Sequence, residues 1–201
     1  MTDQALETRE RILAGARRRF ALGGFHATGV EQIAREAGVS KGALYWHFKS
    51  KQEIYGAILE EEEEAEALRA VFDPGRAPLP DDPVAFIIEQ GERRLQGLAE
   101  DREALLLWAN IWIETKRGQE EIGRLYREMT EAIFHRLQSL FLQVFPRFKG
   151  KEHAAEEILE LLGAAFDGLV LQLGVNLDVV KAKRLWRYAV KRIIEGGDSY
   201  I

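Results

Sequence analysis

The stretch "SKGALYWHFKSK" (40–51) is rich in side chains that can donate to an anion, among them Lys41, Tyr45, His47 and Lys51. Between them lie two small residues, Gly42 and Ala43, and an indole, Trp46. Ammonium, phenol and imidazole groups interleaved in this way suit phosphate oxygens better than a bond-breaking reaction. Nothing else in the chain supplies a reaction. There is no cysteine, no G-x-S-x-G elbow and no phosphate-cradling glycine loop. Glu114 and His135 could be paired only by guesswork, since nothing orients either. His26 and His153 are equally isolated, and no H-E-x-x-H spacing suggests a metal ligand. No catalytic residue, metal or cofactor is expected, and the chain reads as a non-enzyme.

The elements that must position those donors are helices. Ile12, Leu13, Ala16 and Phe20 share one face of a first helix, from Thr8 to about Leu22, which "GGF" breaks. Thr28-Gly-Val-Glu31 has the form of a capping box and opens a second helix that ends at Gly38. Ser40 caps a third helix ending near Phe48, and Ser50-Lys-Gln-Glu53 opens a long fourth helix through the run Glu60–Glu64. Ala34, Gly38 and Leu44 form an A-x3-G-x5-L pattern. A small residue lets the helices approach, a glycine takes the left-handed turn, and a leucine points back inward. That is a helix-turn-helix, whose second helix enters the major groove. Lys41 and Lys51 then meet phosphates, as do the helix N-termini at Thr28, Ser40 and Ser50. Gly42 and Ala43 let the backbone near base edges. Tyr45 and His47 donate to phosphate, and Trp46 packs against sugars or closes the back of the head.

Charge follows the same division. Residues 1–51 carry a balance of +4 and the remainder −9, within a net −5. A basic head on an acidic body fits a polyanion-binding module joined to something else. The glutamate run reads as a solvated helix face. No apolar run approaches the roughly 18–20 residues that cross a bilayer, and the polar start "MTDQALETRERI" is no secretory signal. No membrane partner is expected, and the location expected is cytoplasmic.

Beyond the head, "FDPGRAPLPDDP" (72–83) and "FPRFKGK" (145–151) read as loops. Asp82-Pro83 is a helix start, and helices are expected at about 83–100, 102–117, 119–145, 153–175 and 179–195. The expected class is all-α, nine helices in total. Residues 1–49 form the helix-turn-helix domain, and 50–201 form a six-helix body for effector binding and dimerisation, its connecting helix starting at Ser50.

The segment "TGVEQIAREAGVSKGALYWHFKSKQEI" (28–54) resembles the signature of the TetR family of transcriptional regulators. The likeness rests on Phe20, Gly24, Phe25, Thr28, Ile33, Ala34, Ala37, Gly38, Val39, Leu44, Tyr45, Phe48 and Lys51. It covers about the first 55 residues, and the rest matches in architecture. The resemblance implies a homodimer with paired heads on a palindromic operator, and a body that binds a small molecule and lets DNA go. It also implies that Thr28, Ser40, Lys41, Gly42, Tyr45, His47 and Lys51 contact DNA.

In the body, "LLLWANIWIETKR" (105–117) places Trp108 and Trp112 on one face with Ile111 and Thr115 nearby, and Glu114 beside that apolar stripe. Core packing is one reading; a cavity with a few polar groups among aromatic walls is the other. Tyr126, Met129 and Ile133 supply an opposite wall. The ligand expected is apolar or aromatic, an acyl chain such as that of an acyl-CoA being one candidate. Leu162, Ala165, Phe166, Leu169 and Leu173 cover more than one helical stripe, and Leu185 and Ala189 lie on the following helix. Two such pairs make a four-helix bundle across a two-fold axis. The function expected is a ligand-responsive regulator that represses by binding a palindromic operator. The alternative is an effector-independent structural or nucleoid-associated DNA-binding protein.

Overall fold

Helical periodicity at the start of the chain runs on past Leu22, and the backbone leaves it at one residue. Gly24, at φ 72 and ψ 174, interrupts α1 (Asp3–Ala27). The computed structural model describes residues 3–65, 80–116 and 120–196. The expected loop at 72–83 falls, up to residue 79, outside them. After α1 come α2 (Val30–Ala37), α3 (Lys41–His47), α4 (Lys51–Ala65), α5 (Pro83–Glu100), α6 (Arg102–Lys116), α7 (Glu120–Val144), a 3-10 turn (Pro146–Phe148), α8 (Glu152–Gln172) and α9 (Val179–Gly196). The fold is all-α with a helix-turn-helix at its N-terminal end, as the sequence suggests. Its one β-type contact among the described residues is an isolated bridge between Leu173 and Leu177.

The chain packs as two units. The first holds α1 to α4, α6 and the beginning of α7 up to Arg127; the second holds α5, the rest of α7, α8 and α9. In the first, Ile12, Phe20, Ile33, Leu44, Phe48, Ile54 and Tyr55 are sealed from water. Each such side chain contributes about 1.5–3 kcal/mol by leaving solvent. The rings of Phe20, Phe25 and Tyr55 form the centre, with centroids 5.0–5.7 Å apart.

Close approach sets the α1–α2 contact, since a Cβ on Gly15 would lie 3.0 Å from the Ala37 amide nitrogen. Gly38 ends α2 in the left-handed region at φ 65, and the Val39 amide donates back to the Ala34 carbonyl at 2.9 Å. Arg11 completes that end by donating to the carbonyls of Ala37 and Gly38, both at 2.8 Å.

The helix starts expected at Ser40, Ser50 and Asp82 are present. Their oxygens accept from the amides of Ala43, Glu53 and Ala85 at 3.1, 3.1 and 2.9 Å. The capping box expected at Thr28 is displaced by one residue. Gly29 is the N-cap of α2, and the Gln32 side chain accepts from its amide at 2.7 Å. Thr28 is buried instead, its hydroxyl donating backward to the carbonyls of Gly24 and Arg19 at 2.8 and 3.1 Å. A hydroxyl already committed to these carbonyls of α1 does not cap α2.

In the second unit, α5 and α9 pack closely where Trp186 lies against Gly91. The Trp186 indole donates to the Ile87 carbonyl at 3.3 Å and lies so close to Gly91 that an added Cβ would be 2.0 Å from its nitrogen. Phe166 of α8 meets the same indole edge-on at 5.3 Å. Phe141, Phe145 and Phe148 cluster at the 3-10 turn, and Arg147 lies over two of these rings while donating to the Ile194 carbonyl at 3.0 Å. α8 stops at Gln172, three residues short of expectation, because Gly174 turns at φ 72 and its amide donates to the Leu177 carbonyl.

Candidate nucleic-acid interface

The short helix α3 is anchored by one buried residue, Leu44, and its remaining surface is free to face a partner. Tyr45 is 45% and Trp46 70% exposed, a large aromatic area for a protein surface. His47 is half-buried, its ring edge-on to Trp46 at 4.6 Å. Gly42 is exposed and Ala43 half-buried, so backbone is accessible at the leading turn. Ser40 caps that turn. The ammonium of Lys41 pairs with Glu31 of α2 and lies 5.9 Å from the centre of the Tyr45 ring. That hydrogen bond is the first cause holding the Glu31 carboxyl below its ordinary range, and it raises Lys41 in turn. A rigid two-helix platform thus presents aromatic donors, a cation and bare backbone on its solvent side.

Two residues expected at that surface bond to backbone near the end of α1. Lys51 donates to the carbonyls of Phe25 and Thr28 at 2.7 and 3.0 Å, with its ammonium 4.1 Å from the centre of the Phe25 ring. Thr28 spends its hydroxyl on α1. Both side chains bind the end of α1, Thr28 from a buried position and Lys51 from a half-buried one. Spacing could not show this, because the competing acceptors are backbone carbonyls, which residue types do not mark.

The residues expected to bind a ligand divide as follows. Trp108 and Trp112 of α6 are half-buried with centroids 6.0 Å apart, and Ile111 is buried. Glu114 is buried within the first unit: its Oε2 lies 3.7 Å from His26 Nε2, and its Oε1 fills the notch left by the missing side chain of Gly24. His26 is therefore not isolated. The charge of Glu114 adds to the effect of burial in pushing the Tyr55 phenol far up. On the same helix Asn110 donates to the carbonyls of Phe20 and Ala21 at 3.2 and 2.8 Å. The side chains of Thr115, Tyr126, Met129 and Ile133 lie outside the described residues.

Of the residues expected at a dimer face, Leu162 and Leu173 are buried inside the second unit, which leaves them little surface to give a partner. Ala165, Phe166, Leu169 and Ala189 are half-buried, and Leu185 is exposed. The exposed apolar seam of α8 runs beside them through Leu161, Ala164, Gly168 and Leu171, at spacings of three, four and three residues. On α9 it continues with Leu185 and Tyr188. Apolar content alone pointed to α8; only burial shows which stripe is left open.

An α3 of this build, offered beyond a left-handed glycine turn, defines a helix-turn-helix DNA-binding protein. The comparisons make the class narrower. Residues 12–58 match the model of bacterial regulatory proteins of the tetR family, and residues 92–196 match that of the BetI-type transcriptional repressor C-terminal domain. The chain belongs to the TetR family of transcriptional regulators. It is 36% identical to the HTH-type transcriptional regulator AcrR of Shigella flexneri over 106 residues, 52% of this chain and 48% of that one. The aligned part thus spans about half the length of that relative. Among solved structures, Salmonella enterica GusR aligns with a TM-score of 0.72 at 25% identity, covering 98% of this chain and 97% of that one. A TerR/AcrR-family regulator from Aquifex aeolicus aligns at 0.70 and 25%, covering 92% and 99%. No helix among the described residues is long and apolar enough to cross a membrane.

Proposed function

We propose that the chain is a ligand-responsive repressor, acting in the cytoplasm as a homodimer on a palindromic operator and released by a small, largely apolar effector. The observation that carries the reading is α3 itself: Tyr45, Trp46 and the Gly42 backbone are left to solvent on a helix anchored by a single leucine. The seam of Leu161, Ala164, Gly168, Leu171, Leu185 and Tyr188 is the face proposed to pair with a second copy. Its small residues let helices approach closely, and its period is that of a bundle contact. Paired heads would then reach successive grooves about 34–36 Å apart or a multiple of that distance. Repression is supported by the C-terminal match, whose description is that of a repressor.

For the effector, Trp108 and Trp112 supply the aromatic wall, and the ligand is an apolar or aromatic molecule or an acyl chain. α6 reaches the head directly, through Asn110 and Glu114 on α1. A ligand that shifts α6 therefore acts on the end of α1. Lowering operator affinity tenfold to hundredfold needs about 1.4–2.7 kcal/mol of coupling.

The test joins sedimentation with mobility shifts. Wild type should sediment as a dimer at micromolar concentration and shift an inverted-repeat promoter fragment. Leu161→Glu with Leu171→Glu should yield folded monomers that shift it poorly. A double variant that remains dimeric ends the proposed seam. A thermal-shift screen with aromatics and acyl thioesters separates this reading from an effector-independent DNA organiser, which would respond to none and occupy many sites.

A further inference from the structure

Glu31 stands on a surface otherwise suited to phosphate. It lies in the first turn of α2, and Lys41 is the first residue of α3; their side chains are 63% and 54% exposed, and their charged ends are in hydrogen-bond contact. An exposed ion pair of this kind adds little to stability. Its effect on what approaches the head is larger. A lysine alone is a point charge that any phosphate satisfies. With a carboxylate fixed beside it, an approaching phosphate meets attraction and repulsion together. The carboxylate itself is acceptor-only, so on DNA it can be satisfied only by an amino group on a base edge.

In the major groove a G·C pair presents guanine N7 and O6, two acceptors, followed by the cytosine N4 donor. An A·T pair presents acceptor, donor, acceptor, which sets a donor against an ammonium or an acceptor against a carboxylate. The Lys41–Glu31 pair matches the first order. Two ammonium protons remain after one is given to Glu31, and the carboxylate keeps lone pairs for an amino group. Tyr45, under the ammonium, limits where Lys41 can swing. We propose that Glu31 and Lys41 together read one G·C pair per operator half-site, Lys41 donating to guanine and Glu31 accepting from cytosine. Glu31 is then a specificity-determining residue that trades general affinity for base choice. The inference rests on the DNA-binding reading of α3.

The experiment is a binding selection from randomised inverted repeats with the full chain, run for wild type, Glu31→Gln and Lys41→Ala. Melting temperatures should match, since both groups are exposed. Wild type should require G·C at one position per half-site, by about tenfold over other pairs. Glu31→Gln should lose that requirement at this position alone. It should also steepen the dependence of log affinity on log salt by about one per head, as Lys41 turns to a phosphate. Lys41→Ala should relax the same position. Glu31→Gln retaining both the base requirement and the salt slope of wild type overturns the proposal, as does relaxation at two different positions. A wild-type chain that enriches no sequence removes the DNA-binding reading itself, a result distinct from either.

Discussion

Replacing Gly24 by alanine tests how α1 is held at its break. The residue sits at φ 72 and ψ 174, a region in which a side chain costs about 1–3 kcal/mol. The new Cβ would also lie 2.5 Å from Glu114 Oε1. That carboxylate is buried and faces His26, and Asn110 Oδ1 would lie 3.7 Å from the same Cβ, so there is little room to withdraw. Overpacking of this sort costs about 1–3 kcal/mol more. The sum, roughly 2–6 kcal/mol, lowers Tm by about 4–24 °C at 2–4 °C per kcal/mol for a chain of this length.

The two causes separate in a Glu114→Ala background. The steric part disappears there and the backbone part, about 1–3 kcal/mol, remains. Circular-dichroism melts and urea titrations of the four proteins, at one matched concentration, supply the cycle. Gly24→Ala melting within about 1 °C of wild type refutes the backbone argument. An equal cost in both backgrounds refutes the contact with Glu114.

Three further outcomes are expected. Lys51→Met should cost about 2–4 kcal/mol through two lost charge-assisted hydrogen bonds. It should leave the salt dependence of DNA binding unchanged, whereas losing a phosphate contact would reduce the slope by about one per head. Gly91→Ala should destabilise the second unit by about 3 kcal/mol, since its Cβ would overlap the Trp186 indole; an unchanged urea midpoint would count against that packing. Burial pushes the Asp167 carboxyl up to about 6 from 3.8. The fold therefore favours its protonated form, whose stabilising contribution is complete below about 3.8 and lost as pH rises through about 6. Asp167→Asn should thus raise the urea midpoint at pH 7.5 and lose that advantage by about pH 4; a constant difference across the range would refute the assignment.

The parts of the fold legible in the sequence were those fixed by local chemistry. Gly24 and Gly38 mark their turns because only glycine takes positive φ without strain, and Ser40, Ser50 and Asp82 mark helix starts because their oxygens reach the third amide on. The exposed face of α3 followed from Leu44, the one side chain that had to point inward. What stayed hidden depended on groups far apart in the chain. Thr28 and Lys51 carry the residue types of anion contacts, yet the backbone carbonyls of Arg19, Gly24, Phe25 and Thr28 accept from them. Glu114 looked like a polar group on a ligand wall, but it fits a notch ninety residues earlier. Leu162 and Leu161 are indistinguishable by hydropathy, and a shift of one residue around α8 decides which is buried.

The end of α1 has consequences for anyone wishing to recombine parts of such regulators. Asn110 supplies the donors for Phe20 and Ala21, and Glu114 fills the space at Gly24, so two of the fastenings of the reading head come from a helix that begins at Arg102. A graft spliced after the fourth helix would leave those carbonyls bare and that hollow empty. Hybrids intended to couple this head to a foreign sensor should retain residues 102–116 with it, and a transplanted head lacking them will need substitutes for both fastenings.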